Sequence, residues 1–154
     1  GDGDMDVLAS IKIYSLTDDI AWWENTDGAG TIWTEHIIDS DFNAAQCVYS
    51  DDVDGDGDMD ILGASYYYGI SWWENIDGSG ASWIKHEVDP DFKWARSVYY
   101  EDIDGDGNMD ILGASSWWEE IVWWENTGYS HDGSLESSIL DTENDTDWDY
   151  LEWN

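Results

Sequence analysis

The chain of 154 residues has 37 acidic side chains against 4 lysines and arginines, which is a formal net charge of −33. Because proteins bind nucleic acid through basic surfaces, this charge argues against DNA or RNA as a partner. Hydrophobic residues nevertheless make up 42% of the chain and 13 residues are tryptophan. The sequence is therefore not of the disordered kind, and it is long enough for one domain with a core.

An aspartate-rich segment is present in one shortened copy and two full copies. The shortened copy, GDGDMD at 1–6, opens the chain, and the full copies are DVDGDGDMD at 52–60 and DIDGDGNMD at 102–110. Since the chain begins inside a repeated segment, we expect it to be a piece of a longer protein with further repeats. No apolar run approaches the ~18 residues of a membrane span, so we expect no membrane insertion.

The full copies have the first half of the oxygen-ligand pattern of an EF-hand calcium loop. Carboxylates stand at every second position, and Gly57 follows where a sharp turn is needed. The predicted side-chain ligands of the first full loop are Asp52, Asp54, Asp56 and Asp60, with the backbone carbonyl of Asp58 as a further ligand. Simple turns would need about two such residues, whereas five acids repeat here and would repel one another without a cation.

The loop does not belong to an EF-hand. The twelfth position of an EF-hand loop is a bidentate glutamate, but counted from Asp52 it is Gly63, and counted from Asp102 it is Gly113. The apolar run that follows, ILGAS at 61–65, predicts a buried strand instead of a helix.

A period near fifty residues organises the rest of the chain. The tetrapeptide WWEN recurs at 22–25, 72–75 and 123–126, and Asp54 corresponds to Asp104. In the second repeat we predict strands over 59–66, 70–74, 82–88 and 95–100, with turns at Gly69 and at 77–80. Four short strands in each repeat predict an all-β fold of propeller blades, covered on both faces.

Two features of the predicted strands suggest how such blades would pack. The small run GAS at 63–65 suits the place where the sheets approach most closely. The tryptophan pairs would fill the wider outer part.

The loop, the ILGAS strand and the downstream IxWWEN and DGxGxxWxxH segments together resemble the FG-GAP/VCBS repeat family over about 1–126. This family includes integrin α-subunit propellers and many secreted bacterial and archaeal proteins. The resemblance implies seven-bladed propellers, of which this chain would supply about three repeats, 1–50, 51–100 and 101–133, as an open arc. It also implies an extracellular location, calcium on the blade loops and roles in adhesion or ligand binding.

The family's calcium positions correspond to residues of both full loops. They are Asp52, Asp54, Asp56, Asp58, Asp60, Asp102, Asp104, Asp106, Asn108 and Asp110. The shortened first loop retains Asp2, Asp4 and Asp6 as a partial metal site.

The segment 134–154 has two interpretations. Its residues 137–141 align with 35–39 and would form the last strand of the third blade. Alternatively, the segment opens a different β-sandwich module, and this second interpretation is slightly favoured.

The repeated glutamates and histidines are predicted to be structural. Glu24, Glu74 and Glu125 adjoin tryptophan pairs and could suggest sugar hydrolysis by paired carboxylates, but they recur in every copy, whereas a catalytic site usually breaks repeat symmetry. For the same reason His36 and His86 are predicted to be packed and hydrogen-bonded. No nucleophile elbow or phosphate-binding glycine loop is present, and we expect no enzyme.

The positions that break the repeat symmetry are better candidates for ligand binding. Lys93, Trp94 and Arg96 replace Asn43, Ala44 and Gln46, and aromatic residues are added at 66–68 and 117–118. The predicted ligand-binding residues are Lys93, Trp94, Arg96, Tyr67 and Trp117. The alternative is that these residues only fill gaps between blades.

Three functions are compatible with these patterns. The leading hypothesis is a non-catalytic, calcium-binding propeller segment for adhesion or recognition of a protein or glycan at a cell surface. The first alternative is a carbohydrate-binding propeller, lectin-like or accessory to a polysaccharide-degrading enzyme. The second is a structural spacer in a large surface protein.

Overall fold

The computed structural model describes residues 3–11, 19–117, 119–126 and 136–138. These residues form three antiparallel sheets. The first sheet contains β1 (Val7–Ile11), β2 (Asp19–Asn25) and β3 (Trp33–Asp39). The second contains β4 (Ala45–Asp51), β5 (Asp60–Ser65), β6 (Gly69–Asn75) and β7 (Trp83–Asp89). The third contains β8 (Ala95–Glu101), β9 (Asp110–Ser115), β10 (Glu120–Glu125) and β11 (Glu136–Ser138).

The prediction of an all-β fold is confirmed. The described ranges contain no helix that is long and apolar enough to span a membrane. Three of the four strands predicted for the second repeat agree closely with β5, β6 and β7 of the second sheet, and the fourth corresponds to β8, which belongs to the third sheet. The sheets and the sequence repeats are nonetheless out of phase, because each four-stranded sheet takes its first strand from before the aspartate-rich loop and its other three from after it.

The strand register is the same from sheet to sheet. Trp22 pairs with His36, and Trp72 pairs with His86. In the third sheet Trp123 pairs with Ser138 in the corresponding position, so β11 lies beside β10 as the fourth strand. The remainder of 134–154 lies outside the described residues, and the β-sandwich module stays a prediction.

The second sheet is covered on both faces, as the apolar pattern of its strands predicted. Successive side chains of a strand point to opposite faces, and all six residues of β5 are buried. On one face, Ile61 and Trp73 pack with Ile20 and Phe42 at the first sheet. On the other face, a larger apolar cluster reaches the third sheet; its members include Leu62, Ala64, Ile70, Trp72, Val98, Ile111 and Trp124.

Gly63 allows the tightest packing in the second sheet. A Cβ atom there would lie 2.8 Å from Cζ3 of Trp73 and 3.0 Å from Cε1 of Phe42. The two aromatic rings meet edge to face, with centroids 4.8 Å apart. The sequence pattern predicted separate places for the small residues and the tryptophans, but the indole of Trp73 packs directly over Gly63. Gly113 and Trp124 repeat this arrangement in the third sheet.

Polar contacts also join neighbouring sheets. The Asp39 carboxylate of the first sheet accepts hydrogen bonds from Trp73 Nε1 at 3.2 Å and from Lys85 Nζ at 3.0 Å. Between the second and third sheets, the Tyr100 hydroxyl donates to the carbonyl of Val53 at 2.7 Å. Burial raises the pKa of Tyr100, so this hydroxyl keeps its proton as a donor.

Candidate metal centres

The aspartate-rich loops lie at one end of the sheets. The loop 52–59 joins β4 to β5, and the loop 102–109 joins β8 to β9. The strands on either side of the first loop are paired up to its base, where Asp51 is opposite Asp60. The loop therefore connects the two paired strands of a hairpin, and its side chains are held close to one another.

Each full loop brings three carboxylates together. We call these sets the carboxylate triads; they consist of Asp52, Asp54 and Asp56, and of Asp102, Asp104 and Asp106. Within each triad the three side chains have oxygen atoms within 4.8 Å of one another. The structure thus assembles six of the ten residues predicted as ligands into two compact groups.

Backbone amides of the loop orient the first triad. The Asp52 carboxylate accepts the amide of Gly55 at 2.8 Å through Oδ1 and that of Gly57 at 3.0 Å through Oδ2. Asp54 accepts the amide of Asp56 at 3.1 Å, and Asp56 accepts the amide of Asp58 at 2.8 Å. A carboxylate offers about four lone-pair directions, so these bonds leave oxygen capacity for a cation.

Gly57 is required by the backbone conformation of the loop. Its φ is +96°, and a Cβ atom at this position would meet nothing within 4 Å. Glycine is therefore required at this position for its backbone conformation and not for space, since residues with side chains rarely adopt such a φ. Gly107 has nearly the same φ, +94°, so the two full loops share one backbone path.

The charge and chemistry of the triads fit a hard divalent cation. Partial burial raises the pKa of Asp54, and the neighbouring charge of Asp56 acts in the same direction. The donor set of each triad is made only of carboxylate oxygens, which suits Ca²⁺ or Mg²⁺ and not the softer transition metals. A bound cation would relieve the repulsion within each triad.

Asp60 and Asp110 are set apart from the triads. Asp60 is only 1% exposed, and its two carboxylate oxygens accept the amides of Val53 at 2.9 Å and Asn75 at 2.8 Å. Asp110 accepts the amides of Ile103 at 3.1 Å and Asn126 at 2.8 Å. Each of these carboxylates therefore fastens its loop to the third strand of the sheet. Burial raises the pKa of Asp60 to about 6, although the two amide bonds oppose the shift.

Asp58 and Asn108 contact other parts of their surroundings. The Asp58 carboxylate lies against the β6–β7 turn, where its oxygens are 2.6 Å from the position of a Cβ atom on Gly78. The side-chain amide of Asn108 donates to Asp106 at 2.8 Å. Neither contact tests whether the backbone carbonyl or the side chain at this position binds a metal.

The shortened first loop keeps the fastening residues of the full loops. Asp6 accepts the amide of Asn25 at 2.9 Å, as Asp60 does for Asn75. Asp4 lies against Gly28 as Asp58 lies against Gly78. Asp2 lies outside the described residues, so the partial metal site stays a prediction.

The asparagine of WWEN has a role that was not predicted. The Asn75 side chain donates to the carbonyl of Met59 at 3.2 Å and accepts the amide of Gly80 at 3.0 Å. It thereby ties the aspartate-rich loop to the β6–β7 turn. The recurrence of this asparagine in all three copies of WWEN was the signal that could have revealed it.

The other repeated polar residues of the WWEN region form pairs. His86 Nε2 donates to Glu74 Oε2 at 2.8 Å, and its ring stacks on Trp72 with centroids 4.3 Å apart. His36 makes the same contacts with Glu24, at 3.0 Å, and with Trp22. The prediction that these histidines are packed and hydrogen-bonded is confirmed.

Four of the five predicted ligand-binding residues lie together at the opposite end of the sheets. Trp94 is in contact with Tyr66 and Trp117, and Tyr66 in turn with Tyr67 and Arg96. We call these five residues the aromatic–arginine cluster. The fifth predicted residue, Lys93, is adjacent in sequence, but its ammonium donates to the carbonyl of Pro90.

The repeated four-stranded antiparallel sheets, stacked face to face with an aspartate-rich loop after each first strand, are the blades of a β-propeller. A model of the FG-GAP-like repeat matches residues 1–63 and 52–113. The chain belongs to the FG-GAP-like repeat family. Neither the curated proteins nor the solved structures include a match to the chain.

Proposed function

We propose that the chain is a calcium-stabilised, non-catalytic recognition or adhesion module of an extracellular protein. The observation that carries this proposal is the pair of carboxylate triads, each with oxygen atoms within 4.8 Å of one another. Two loops with the same spacing and the same backbone path are hard to explain as turns alone.

The residues of the triads would hold calcium. Ca²⁺ takes about six to eight oxygen ligands, so the triad would supply one part of a shell completed by backbone oxygens or water. The bound ion would supply positive charge to a loop that otherwise contains only repelling carboxylates. A loop held in place by calcium would also be held against its sheet by Asp60 or Asp110, because each of these carboxylates joins its loop to the asparagine of WWEN.

An extracellular location agrees with the chemistry of the loops. Calcium sites of extracellular modules have dissociation constants of ~10⁻⁴ to 10⁻³ M, and we expect the triads to fall in this range. Such sites would be filled at the calcium concentrations outside cells. The net charge of −33 also favours solubility at a crowded surface.

A non-catalytic role is supported by the engagement of the repeated acids. Glu24 and Glu74 are each paired with a histidine. These residues are thus occupied in the same way in successive copies. Hydrolysis of a sugar by paired carboxylates would need two carboxylates in different environments, unlike these equivalent ones.

Calcium titration by calorimetry tests the proposal. We expect about two sites in the chain, and Asp56→Ala and Asp106→Ala should each remove one, because each substitution takes a ligand from one triad. The matched control is Asp41→Ala, which removes a carboxylate from an exposed position outside the loops and should leave two sites. Unchanged stoichiometry in both loop variants would overturn the assignment.

A further inference from the structure

The aromatic–arginine cluster lies where the second and third sheets meet, at the end opposite the aspartate-rich loops. It is formed by the β5–β6 turn, the end of the β7–β8 connection (90–94), the start of β8 and the β9–β10 turn. Its residues come from positions at which the repeats differ in sequence. A comparison of the two junctions between sheets shows whether the fold needs these side chains.

The equivalent junction between the first two sheets shows that the fold does not need these side chains. There the β3–β4 connection (40–44) ends in Ala44 with φ +57°, and Trp94 has nearly the same φ, +63°. One backbone hydrogen bond is also the same at both junctions, because the carbonyl of Ala44 accepts the amide of Tyr66 at 3.1 Å and that of Trp94 accepts the amide of Ser116 at 3.2 Å. The fold builds this connection with alanine, and a bulky residue at positive φ is an outlier.

The cluster offers exposed aromatic faces. Trp94 stacks on Trp117 with ring centroids 4.9 Å apart and an interplanar angle of 20°. Tyr66 also packs against Trp94, with ring centroids 3.7 Å apart and an interplanar angle of 60°. Trp117 and Tyr67 at the edges are 66% and 60% exposed. A rigid stack with an exposed indole is suited to a flat, partly apolar ligand such as a sugar ring.

Arg96 adds a fixed positive charge. Its guanidinium carbon lies 5.2 Å from the centroid of Tyr66. Nε donates to Ser116 Oγ at 3.0 Å, and Nη1 donates to Gln46 Oε1 at 2.9 Å. These bonds hold the plane of the group, and a guanidinium has five N–H donors, so further donors remain for a ligand. The equivalent position between the first two sheets holds the neutral Gln46.

We propose that the aromatic–arginine cluster binds an acidic saccharide, with a sugar ring against Trp117 and its carboxylate at Arg96. The charge argues for this choice, since Arg96 is one of only four basic residues in the chain and its guanidinium is held beside the aromatic rings. A guanidinium matches a carboxylate in a two-pronged geometry. The inference names the ligand class of the recognition function proposed above and rests on it.

Calorimetric titration of the whole chain, in calcium and at ~0.15 M salt to screen the net charge, tests the inference. The probe is a hexasaccharide that alternates glucuronate with N-acetylglucosamine. The variants Trp94→Ala and Arg96→Gln introduce the residues that the fold already accepts at the equivalent positions 44 and 46. Each should weaken binding about tenfold or more, because each removes a stacked ring or a charged hydrogen bond.

Two controls separate the cluster from general effects. Lys93→Asn removes the same charge as Arg96→Gln from a neighbouring position and should change affinity little. Trp33→Ala removes an exposed indole at the loop end of the first sheet and should change nothing. Methyl esterification of the probe should abolish the contribution of Arg96 while leaving the rings in place.

Three results would overturn the inference. The first is no binding of the hexasaccharide to the unaltered chain, including the case in which a protein partner binds this surface instead. The second is equal loss in Arg96→Gln and Lys93→Asn, which would indicate nonspecific attraction. The third is equal affinity for the esterified probe. Calcium titration of Trp94→Ala, which leaves both loops unchanged, reports on the proposed function separately.

Discussion

The two ends of the sheets differ in how far their side chains repeat. At the loop end, Asp60 and Asp110 are both buried. Each accepts two backbone amides, and the two pairs of amides come from equivalent positions of the second and third sheets. At the opposite end, Ala44 and Trp94 share a backbone conformation but not a side chain. Side chains that recur with their contacts are needed by the fold or by a metal, whereas side chains that change on an unchanged backbone are free to serve recognition.

We therefore expect substitutions to have different effects at the two ends. Substitutions at repeated positions should cost stability. Substitutions at unrepeated positions of the aromatic–arginine cluster should cost binding and little stability.

The largest effect is expected from Asp60→Ala. The substitution leaves the amides of Val53 and Asn75 buried without their acceptor, and it should lower the free energy of unfolding by about 3 kcal/mol or more. Urea unfolding of the calcium-loaded chain measures it. Asp110→Ala should have a similar effect, whereas Asp77→Ala, at an exposed turn position, should have a small one. A change below about 1 kcal/mol for Asp60→Ala would mean that the carboxylate does not hold the loop.

The next effect is expected from Gly63→Ala. The added methyl group would collide with the indole of Trp73 at 2.8 Å, and overpacking of this kind costs about 1–3 kcal/mol. The double variant with Trp73→Leu provides the control, because without the indole the alanine should cost clearly less against Trp73→Leu alone, with only the contact to Phe42 at 3.0 Å remaining. Independent, additive effects of the two substitutions would contradict the packing shown by the structure.

A smaller effect is expected from pH in the absence of calcium. Burial raises the pKa of Asp60 from its ordinary value of 3.8 to about 6, so the folded chain takes up a proton at this group more readily than the unfolded chain. The resulting stability is fully present below about pH 4 and is lost as the pH rises through about 6. Thermal unfolding in EDTA should therefore give a higher melting temperature at pH 5 than at pH 7.5.

The control for this pH effect is Asp60→Asn, which cannot titrate. General repulsion among the carboxylates of a chain with a net charge of −33 acts in the same direction in both proteins. The difference between pH 5 and pH 7.5 should be smaller in the variant. Identical pH dependence in the two proteins would exclude Asp60 as a contributor.

The smallest effect on stability is expected from Trp94→Ala. The loss of stacking costs about 0.5–1.5 kcal/mol, and alanine is the residue that the fold already accepts at this positive φ in the equivalent position, 44. The change in the free energy of unfolding should therefore stay within about 1.5 kcal/mol. A loss above about 2 kcal/mol would show that the aromatic–arginine cluster is a structural filling, as the gap-filling alternative holds.

Much of the fold could be predicted because its signals are local. The alternation of aspartates in 52–60, the ILGAS run and the period near fifty define loop and strand within a few residues of one another. The third sheet was less predictable, since 137–138 carry neither the histidine nor the tryptophan that mark the last strands of the first two sheets. The alignment of 137–141 with 35–39 pointed to a strand there as one of two interpretations, and the structure pairs Trp123 with Ser138.

The sequence predicted which residues belong to the candidate metal centres. It did not predict which of these carboxylates form the triads and which ones bind backbone amides. Spacing alone groups Asp60 with Asp52, Asp54 and Asp56. It cannot show that the oxygens of Asp60 face two buried amides, because one of these, on Asn75, is fifteen residues away. Only the antiparallel pairing of β5 with β6 brings that amide to the carboxylate.

The sequence by itself thus determined an all-β chain of repeated strands with two complete aspartate-rich loops, because period and turn chemistry act between residues that are near in sequence. The tertiary structure decided which carboxylates form the triads and which ones fasten the loops. It also decided that Tyr66, Trp94 and Trp117 meet. Those three residues lie on different segments of the chain, and they come together only because the second and third sheets stack face to face, burying apolar side chains that no local rule could assign to a partner.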